Sequence, residues 1–313
     1  YQAVRSDYRE SVVEYAKLWG KPLDGLDIVA DCGNGMLSTT TLAVLRELGA
    51  HVVTLNGNVD GHFPGRESKP TAETLGDCMA FLEDGDADFG IAHDGDADRI
   101  VVLDGEGDVV HEDTVLAMLA EEYTRESDAD DPVVVTTPNA SARIDERVRE
   151  AGGRVERVAL GYLHDGIADA RAGGGDVVFA AEPWKHVHTQ FGGWIDGVCS
   201  AAVLSRLFAE RGLAERREPI SERPYRKVSV PCPDERKAPA MAQLAESLPA
   251  AFPDASVDDE YGVRLELPDA SWVLVRPSGT EPYLRIYAES ETVEELVAAA
   301  RDVVETAIEH RAG

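Results

Sequence analysis

A chain of 313 residues with 59 acidic and 30 basic side chains carries a formal net charge of −29, and 43% of its residues are hydrophobic. Sequence-independent binding of nucleic acid requires lysine and arginine to neutralise phosphates, so this charge balance argues against a nucleic-acid partner. No apolar run approaches the roughly 20 residues that span a bilayer, so no membrane partner is expected either. The length is sufficient for two or three domains.

The acidic composition also predicts something about the cellular setting. Lysine occurs at only six positions, whereas arginine is plentiful. An acidic, lysine-poor surface is typical of salt-adapted proteins, since a Debye length of about 3 Å at molar salt screens surface repulsion. The four cysteines are scattered without a Cys-x-x-Cys pair, which favours a reducing compartment over a disulfide framework or a zinc site. We therefore expect a halophilic, cytoplasmic protein.

The first two thirds of the sequence alternate between helical and strand patterns. Helices are predicted at residues 6–20, 42–48, 71–83, 113–123, 141–150 and 195–210, and strands at residues 26–30, 51–55, 88–92, 132–136, 154–158 and 177–181. Between them, Asp-Gly-Glu-Gly at residues 104–107 separates two short apolar segments and predicts a hairpin. Strands that alternate with helices of this length favour an α/β fold with two tandem three-layer domains and mixed, mainly parallel sheets.

The last third of the sequence has a different rhythm. A polar segment at residues 212–224 is interpreted as a linker. Beyond it, strands are predicted at residues 225–230, 263–267, 271–276 and 283–288, and helices at residues 237–248 and 292–310. Grouped strands with a helix on each side favour a small α+β domain with a mostly antiparallel sheet. The predicted domains are residues 1–111, 112–217 and 218–313.

The most acidic motif follows directly after a predicted strand, in the sequence His-Asp-Gly-Asp-Ala-Asp-Arg at residues 93–99. Asp94, Asp96 and Asp98 stand at the carboxyl end of the strand, where ligands collect in α/β sheets. Carboxylates at this density suit Mg²⁺ or Ca²⁺. An EF-hand loop would need Gly at its sixth place and Glu at its twelfth, and Arg99 and Gly105 stand there instead. Solvated acidic surface stays open as the alternative.

A second copy of the carboxylate pattern provides an internal control. Residues 84–88 read Asp-Gly-Asp-Ala-Asp, but this copy precedes its strand and no arginine follows it. We interpret it as a connection between a helix and a strand. Arg99, in contrast, stands beside the carboxylates of the first motif, where a guanidinium can hold phosphate oxygens.

The strongest single motif is Arg-Pro-Ser-Gly-Thr-Glu-Pro at residues 276–282, at the end of a predicted strand. Backbone N–H groups in such a turn can form an anion-binding nest, and the Ser and Thr hydroxyls add donors. Arg276 can offer planar, bidentate contacts to a phosphate. A hairpin turn made of Pro and Gly is the structural alternative.

Three segments together resemble the phosphohexomutase family, which contains phosphomannomutases and phosphoglucomutases. They are the glycine-rich turn at residues 31–35, the acidic loop with its strand at residues 89–99, and residues 272–285 around the arginine turn. The resemblance implies that Asp94, Asp96 and Asp98 ligate Mg²⁺, the remaining ligand being an oxygen of a phosphorylated serine. It also implies a phosphate-binding set in the last domain, consisting of Arg276, Ser278, Gly279, Thr280 and the assisting Arg285.

The family's sugar-binding loop reads roughly Gly-Glu-x-Ser-Gly-His, and residues 181–186 here read Ala-Glu-Pro-Trp-Lys-His. The resemblance implies that Glu182 and His186 contact the sugar, because a carboxylate can accept hydrogen bonds from two hydroxyls. Trp184 and Lys185 depart from the pattern. An indole can stack on a sugar face but supplies no small hydroxyl, and Lys185 either binds a phosphate or lies at the surface.

The activity that the resemblance implies is reversible, intramolecular phosphoryl transfer on a hexose phosphate through a phosphoserine and a sugar bisphosphate. Arg99 would act in catalysis by stabilising charge on the transferred group together with Mg²⁺. The motifs do not select among mannose, glucose and glucosamine phosphates.

The family's phosphoserine belongs to an N-terminal domain, and no Ser-His-Asn-Pro-like loop occurs in this sequence. We therefore expect a fragment that matches domains 2 to 4, lacks its phosphoserine partner domain and is inactive alone. Two alternatives stay open: a non-catalytic sugar-phosphate-binding homologue with a degenerate sugar loop, and a Mg²⁺-dependent phosphatase that uses the three aspartates.

Overall fold

The computed structural model describes residues 2–309, and the chain divides into two compact units. The first unit includes the chain up to Thr136 together with Arg143–Glu156 and Leu163–Ile220. The second unit includes Thr137–Ala142, Arg157–Tyr162 and the chain from Ser221 onwards. None of the helices within residues 2–309 is both long and apolar enough to cross a membrane.

The first sheet of the first unit orders the amino-terminal α/β region. Its elements, apart from a short 3₁₀ turn at Met36–Thr39, are α1 (Gln2–Ala16), β1 (Asp27–Asp31), α2 (Thr41–Glu47), β2 (His51–Leu55), α3 (Gly76–Glu83), β3 (Phe89–His93) and β4 (Ile100–Asp104). The strand order is β2-β1-β3-β4, in which β1 is parallel to both neighbours and β4 is antiparallel to β3. The register pairs Asp31 with Ala92, so the turn after β1 and the acidic loop after β3 leave the same edge of the sheet.

The second sheet of the first unit has the order β6-β5-β7-β8. Its elements are α4 (Glu112–Arg125), β5 (Pro132–Thr136), α5 (Ala142–Glu150), β6 (Arg154–Arg157), α6 (Leu163–Ala172), β7 (Asp176–Glu182), β8 (Lys185–Val187), α7 (Gly197–Glu210) and α8 (Leu213–Arg217). Strands β5 and β7 are parallel, and β8 runs antiparallel to β7. Helix α7 is buried along most of its length and packs against α1, α2, β4 and β8, so it joins the two sheets.

The second unit is built on one antiparallel sheet. Its elements are β9 (Tyr225–Pro231), α9 (Asp234–Ala251), β10 (Ser256–Asp258), β11 (Val263–Glu266), β12 (Trp272–Pro277), β13 (Tyr283–Glu289) and α10 (Val293–Glu309). The strand order is β10-β11-β12-β13-β9. Helices α9 and α10 pack together, and apolar side chains from both join the alternate residues of the strands in a single core. The opposite face of the sheet carries a second, smaller apolar cluster, formed by Trp272, Leu274 and Tyr287.

The predicted fold class is confirmed: two mixed, mostly parallel sheets are followed by an all-antiparallel sheet. The domain boundaries after residues 111 and 217 stay predictions. The structure adds α6, the short strands β8 and β10 and, inside the predicted linker, α8. Helix α8 was not predicted because its sequence is polar. Its Arg216 is nevertheless buried, and the guanidinium forms ion pairs with Glu122 and Glu210. The predicted end of the last helix, at residue 310, lies outside the described residues.

A buried ion pair joins the strand ends of the first sheet. Arg66 Nε donates to Asp31 Oδ2 at 2.8 Å, and both side chains are at least 96% buried. Arg66 Nη2 also donates to the carbonyl oxygen of His93 at 2.7 Å. One guanidinium therefore fixes the end of β1, which precedes the glycine-rich turn, and the end of β3, which precedes the acidic loop.

Removing this guanidinium should be costly. We expect Arg66→Met to lower the free energy of unfolding of the first unit by about 3–5 kcal/mol, because Asp31 would be left charged and uncompensated in the interior. The matched control is Arg154→Met, whose partner Asp131 is half exposed, and its expected cost is much smaller because solvent screens the pair. Urea denaturation of both variants measures the difference, and equal losses would contradict the buried role.

Candidate functional site

The acidic loop connects β3 to β4 and brings three carboxylates together. One oxygen each from Asp94, Asp96 and Asp98 lies within 4.8 Å of the other two. Asp94 is buried, Asp98 is half-buried and Asp96 is exposed. Ala97 has a φ of +62°, a left-handed conformation that few non-glycine residues adopt and that tightens this turn. The loop thus presents carboxylates of graded exposure around one point.

The electrostatics of the loop leave negative charge uncompensated. Burial raises the pKa of the Asp94 carboxyl to about 6, and the charges of Asp98 and Asp96 add to the effect. Arg99 offsets part of it, since its Nη1 lies 3.3 Å from Asp94 Oδ2 and its backbone N–H donates to Oδ1 at 3.3 Å. Asp98 Oδ1 is buried and has no hydrogen-bond partner within residues 2–309. This donor set fits a divalent cation that prefers oxygen ligands, such as Mg²⁺.

Two glycines allow the backbone to approach the acidic loop from behind. A Cβ atom on Gly35 would lie 2.8 Å from the carbonyl oxygen of Gly95. A Cβ atom on Gly197, the first residue of α7, would lie 2.5 Å from the carbonyl oxygen of Ala97. Real Cβ atoms do not tolerate such distances, so only glycine fits at either place. The glycine-rich turn singled out in the sequence thereby packs directly on the loop.

Other acidic groups differ from this cluster. The control copy at residues 84–88 forms no comparable cluster among the described residues, and its last carboxylate accepts a hydrogen bond from the N–H of Asp27 at 2.8 Å. Asp104, Glu106 and Asp108 do come together. In that group one oxygen of Asp104 accepts the backbone N–H groups of both others, at 3.1 and 2.9 Å, so it closes the predicted hairpin.

The predicted sugar loop is the tip of a hairpin formed by β7 and β8. Glu182, at the end of β7, is half-buried and is paired in register with Lys185. Trp184 in the turn has a φ of +68° and packs against the apolar cluster around β1 and β3, with the Lys69 ammonium 5.6 Å from its ring centroid. Lys185 Nζ lies 2.5 Å from Asp98 Oδ2. The hairpin tip therefore reaches the acidic loop.

His186 belongs to β8 of the hairpin, and it is only 1% exposed. Its Nδ1 is 3.0 Å from Ser200 Oγ, and the same hydroxyl is 2.8 Å from His188 Nε2. His188 Nδ1 is 2.6 Å from Tyr123 Oη, which lies 3.0 Å from Tyr15 Oη. A buried hydrogen-bond chain therefore links β8 to α7, α4 and α1. Nothing in the sequence marks this chain, because its members come from four separate segments.

The arginine turn of the second unit joins β12 to β13. Arg276 and Arg285 are direct cross-strand partners, which places two like charges on one face of the sheet. Arg276 Nε, Ser278 Oγ and Arg285 Nε are buried and have no hydrogen-bond partner in the described part of the chain. Gly279 and Thr280 are exposed at the tip of the turn. Donors without partners and two adjacent guanidinium groups around one turn are the features expected of an anion-binding site.

A lysine that the sequence analysis missed supports this turn. Lys237 Nζ, on α9, donates to the carbonyl oxygens of Ser278 and Glu281 at 2.7 and 2.6 Å. Arg285 also forms an ion pair with Glu281. Lys237 stands 41 positions before Ser278 in an ordinary amphipathic helix, so no local motif signals its role.

Two models of one protein family match these regions. The model of the phosphoglucomutase/phosphomannomutase alpha/beta/alpha domain II matches residues 6–107, and the model of the C-terminal domain of the same proteins matches residues 228–306. The chain belongs to the phosphoglucomutase/phosphomannomutase family. The acidic loop lies inside the first matched segment and the arginine turn inside the second.

Individual members of the phosphoglucomutase/phosphomannomutase family agree with this placement. A phosphopentomutase of Thermococcus kodakarensis is 42% identical over 270 residues, which is 85% of this chain and 58% of the relative. A protein named probable phosphoglucosamine mutase, of Methanopyrus kandleri, is 42% identical over 276 residues, or 87% and 59% of the two chains. The chain thus spans about three fifths of these curated relatives.

A solved structure of a family member is similar over nearly the whole chain. A phosphoglucomutase/phosphomannomutase family protein from Burkholderia thailandensis gives a TM-score of 0.80 at 25% identity, over 97% of this chain and 64% of that protein. The fold and the family therefore agree, and the homologues are mutases, which are isomerases that act on sugar phosphates.

The buried histidines predict how stability depends on pH. Burial lowers the pKa of His93 to about 4 and of His186 and His188 to about 3, below the roughly 6.5 of an unfolded chain. Below pH 6.5 the unfolded state binds more protons, so stability falls as the pH falls. Asp94, whose pKa is raised, acts in the opposite direction, but it is one group against three.

We expect the free energy of unfolding to drop by about 4 kcal/mol between pH 7 and pH 5. The variant His186→Gln should show a shallower decline, because one buried proton acceptor is absent. The control is His62→Gln, since the His62 side chain is 96% exposed, and it should follow the parent protein. Urea denaturation at several pH values tests this, and a free energy of unfolding that is flat or rises toward pH 5 would contradict it.

Proposed function

We propose that this chain supplies the metal-binding, sugar-binding and phosphate-binding parts of a sugar-phosphate mutase. The reaction is reversible, intramolecular phosphoryl transfer through a phosphoserine and a sugar bisphosphate. The observation that carries the proposal is the arginine turn, where Arg276, Ser278 and Arg285 each leave a buried donor atom without a partner. A mutase must grip a phosphate that does not react, and this turn has the charge and the donors for it.

Asp94, Asp96 and Asp98 are proposed to hold Mg²⁺. When bound, the ion would neutralise negative charge on the transferred phosphoryl group. Arg99 is proposed to contribute the second positive charge, because its guanidinium already lies between Asp94 and Asp98, at 3.3 and 4.0 Å. Phosphoryl transfer depends mainly on positioning and electrostatics, so a fixed guanidinium beside the carboxylates is a suitable catalytic group.

The non-reacting phosphate is proposed to bind at the arginine turn. Arg276 and Arg285 would supply charge, Ser278 and Thr280 hydroxyl donors, and Gly279 an unobstructed backbone N–H. A nest that reads only the phosphate can accept it from either end of a sugar. That property is what a mutase needs, because the sugar bisphosphate must bind in two orientations.

The sugar is proposed to bind at the hairpin tip, with Glu182 accepting hydrogen bonds from its hydroxyls. His186 was predicted to contact the sugar as well. Because its ring is buried against Ser200, we propose instead that His186 attaches the hairpin to α7. The substrate class includes pentose, glucose, mannose and glucosamine phosphates, since the relatives in hand include a phosphopentomutase and a probable phosphoglucosamine mutase.

A second candidate function is a sugar-phosphate-binding homologue without mutase activity. It is favoured by the two departures in the hairpin, because Trp184 packs against the apolar core and Lys185 pairs with Asp98. Neither side chain is then directed at a sugar. The full-length protein separates the two functions, since only the mutase interconverts sugar phosphates.

The 313-residue chain alone should not turn over, because the proposed reaction needs a phosphoserine donor that the sequence does not supply in a recognisable motif. A coupled assay over glucose, mannose, glucosamine and ribose 1-phosphates should show no product above background. Turnover by this chain would refute the dependence on another domain. Release of inorganic phosphate would instead indicate a phosphatase.

Sugar-phosphate binding should depend on the arginine turn. We expect Arg276→Gln to weaken the binding of glucose 1-phosphate about 10- to 100-fold, the loss typical of one charge-assisted hydrogen bond. The matched control is Arg226→Gln, an arginine of the same sheet whose partner is the exposed Glu294, with no expected effect. Isothermal titration calorimetry measures both, and equal affinities in the two variants would argue against this site.

A further inference from the structure

Lys185 occupies an unusual place for a lysine at the start of a short strand. Its Nζ lies 2.5 Å from Asp98 Oδ2, and the two side chains are only 23% and 28% exposed. The partners are 87 positions apart in sequence, so the contact is a feature of the fold. The Lys185 ammonium therefore forms an ion pair with one oxygen of the carboxylate cluster.

The backbone of the hairpin directs Lys185 to this position. The carbonyl oxygen of Trp184 accepts the N–H of Ile100, the first residue after the acidic loop, at 3.1 Å. The indole of Trp184 packs against the apolar cluster beside β1 and β3 and lies under the Lys69 ammonium. The backbone and the indole of Trp184 are thus both held in place, and the side chain of the next residue, Lys185, extends to the acidic loop.

We propose that Lys185 is an internal counter-ion of the acidic loop and competes with a divalent cation for Asp98. The inference rests on the metal site of the proposed function. Of the two Asp98 oxygens, Oδ2 contacts Lys185 and Oδ1 is buried without a hydrogen bond. A cation that takes Asp98 through Oδ2 must displace the ammonium, and one that takes it through Oδ1 must share that carboxylate with the ammonium. Arg99 already contacts both Asp94 and Asp98.

The competition has a directional consequence. Three carboxylates and two cations leave a net charge near −1 in the loop, whereas loss of Lys185 would leave about −2. A divalent ion is attracted more strongly by the second arrangement, and it no longer has to break an ion pair. Removal of the ammonium should therefore strengthen metal binding, opposite to the usual effect of substitutions at a metal site.

Isothermal titration of MgCl₂ into the 313-residue chain tests the proposal. Lys185→Gln should bind Mg²⁺ about 3- to 10-fold more tightly than the parent chain, the range expected from losing one partly buried ion pair. Lys185→Arg keeps the charge and should stay within about twofold. The matched control is Lys69→Gln, which removes the same charge near Trp184 but has no ion pair with Asp98, and it should also stay within about twofold.

A second measurement needs no substitution. Mg²⁺ should raise the rate at which an amine-acylating reagent modifies Lys185 in the parent chain, read by mass spectrometry, and should leave Lys69 unchanged. This labelling decides the matter should Lys185→Gln fail to fold, which thermal unfolding would reveal. Labelling of Lys185 that is indifferent to saturating Mg²⁺ would overturn the proposal.

The remaining outcomes separate this inference from the metal site on which it rests. If Mg²⁺ binds the parent chain and is lost in Asp96→Asn, but Lys185→Gln binds equally or more weakly, the counter-ion role fails and the metal site stands. If Lys69→Gln gained as much Mg²⁺ affinity as Lys185→Gln, the gain would come from the overall change in charge, and the counter-ion role of Lys185 would also fail. If Mg²⁺ binds none of the variants, both the metal site and the counter-ion fail.

Discussion

One buried guanidinium holds together the edge of the sheet from which the acidic loop emerges. Arg66 contacts Asp31 at the end of β1 and the carbonyl oxygen of His93 at the end of β3, and it also donates to the carbonyl oxygens of Glu67 and Ser68. A charge removed from water is tolerated only when its donors are satisfied, and here three nitrogens find acceptors. Because His93 immediately precedes Asp94, the contact between Arg66 and the His93 carbonyl oxygen also fixes where the acidic loop begins.

The acidic loop and the arginine turn gather opposite charges, one in each unit. In the first unit, carboxylates crowd together until burial and mutual repulsion raise the pKa of Asp94. In the second, Arg276 and Arg285 face each other across adjacent strands. Neighbouring side chains offset each arrangement only in part, Arg99 and Lys185 in the first and Glu281 in the second, so a further counter-charge would stabilise it. That is a physical reason to expect ligands at both loops, and it is independent of the family resemblance.

The sequence predicted those features that follow from local pattern. Strand ends in an α/β sheet locate the acidic loop, and the position of residues 84–88 before a strand separates that copy from the loop. The arginine turn carries most of its chemistry within seven consecutive residues, and Arg285 follows three positions later. Arg66, Lys237 and the pairing of Lys185 with Asp98 were beyond reach, because each contact joins segments 27 to 87 positions apart. Strand β7 was predicted, but β8 was missed because its three residues were interpreted as part of the sugar-binding loop.

The close approach of Gly197 to Ala97 limits where this protein can change. Behind the acidic loop there is no room for even one methyl group, since α7 begins against the carbonyl oxygen of Ala97. The hairpin tip, in contrast, meets the loop through a side chain, since Lys185 pairs with Asp98. A larger residue at Gly197 would therefore require the backbone of α7 or of the loop to move, whereas a change at Lys185 alters only a side-chain contact with the loop.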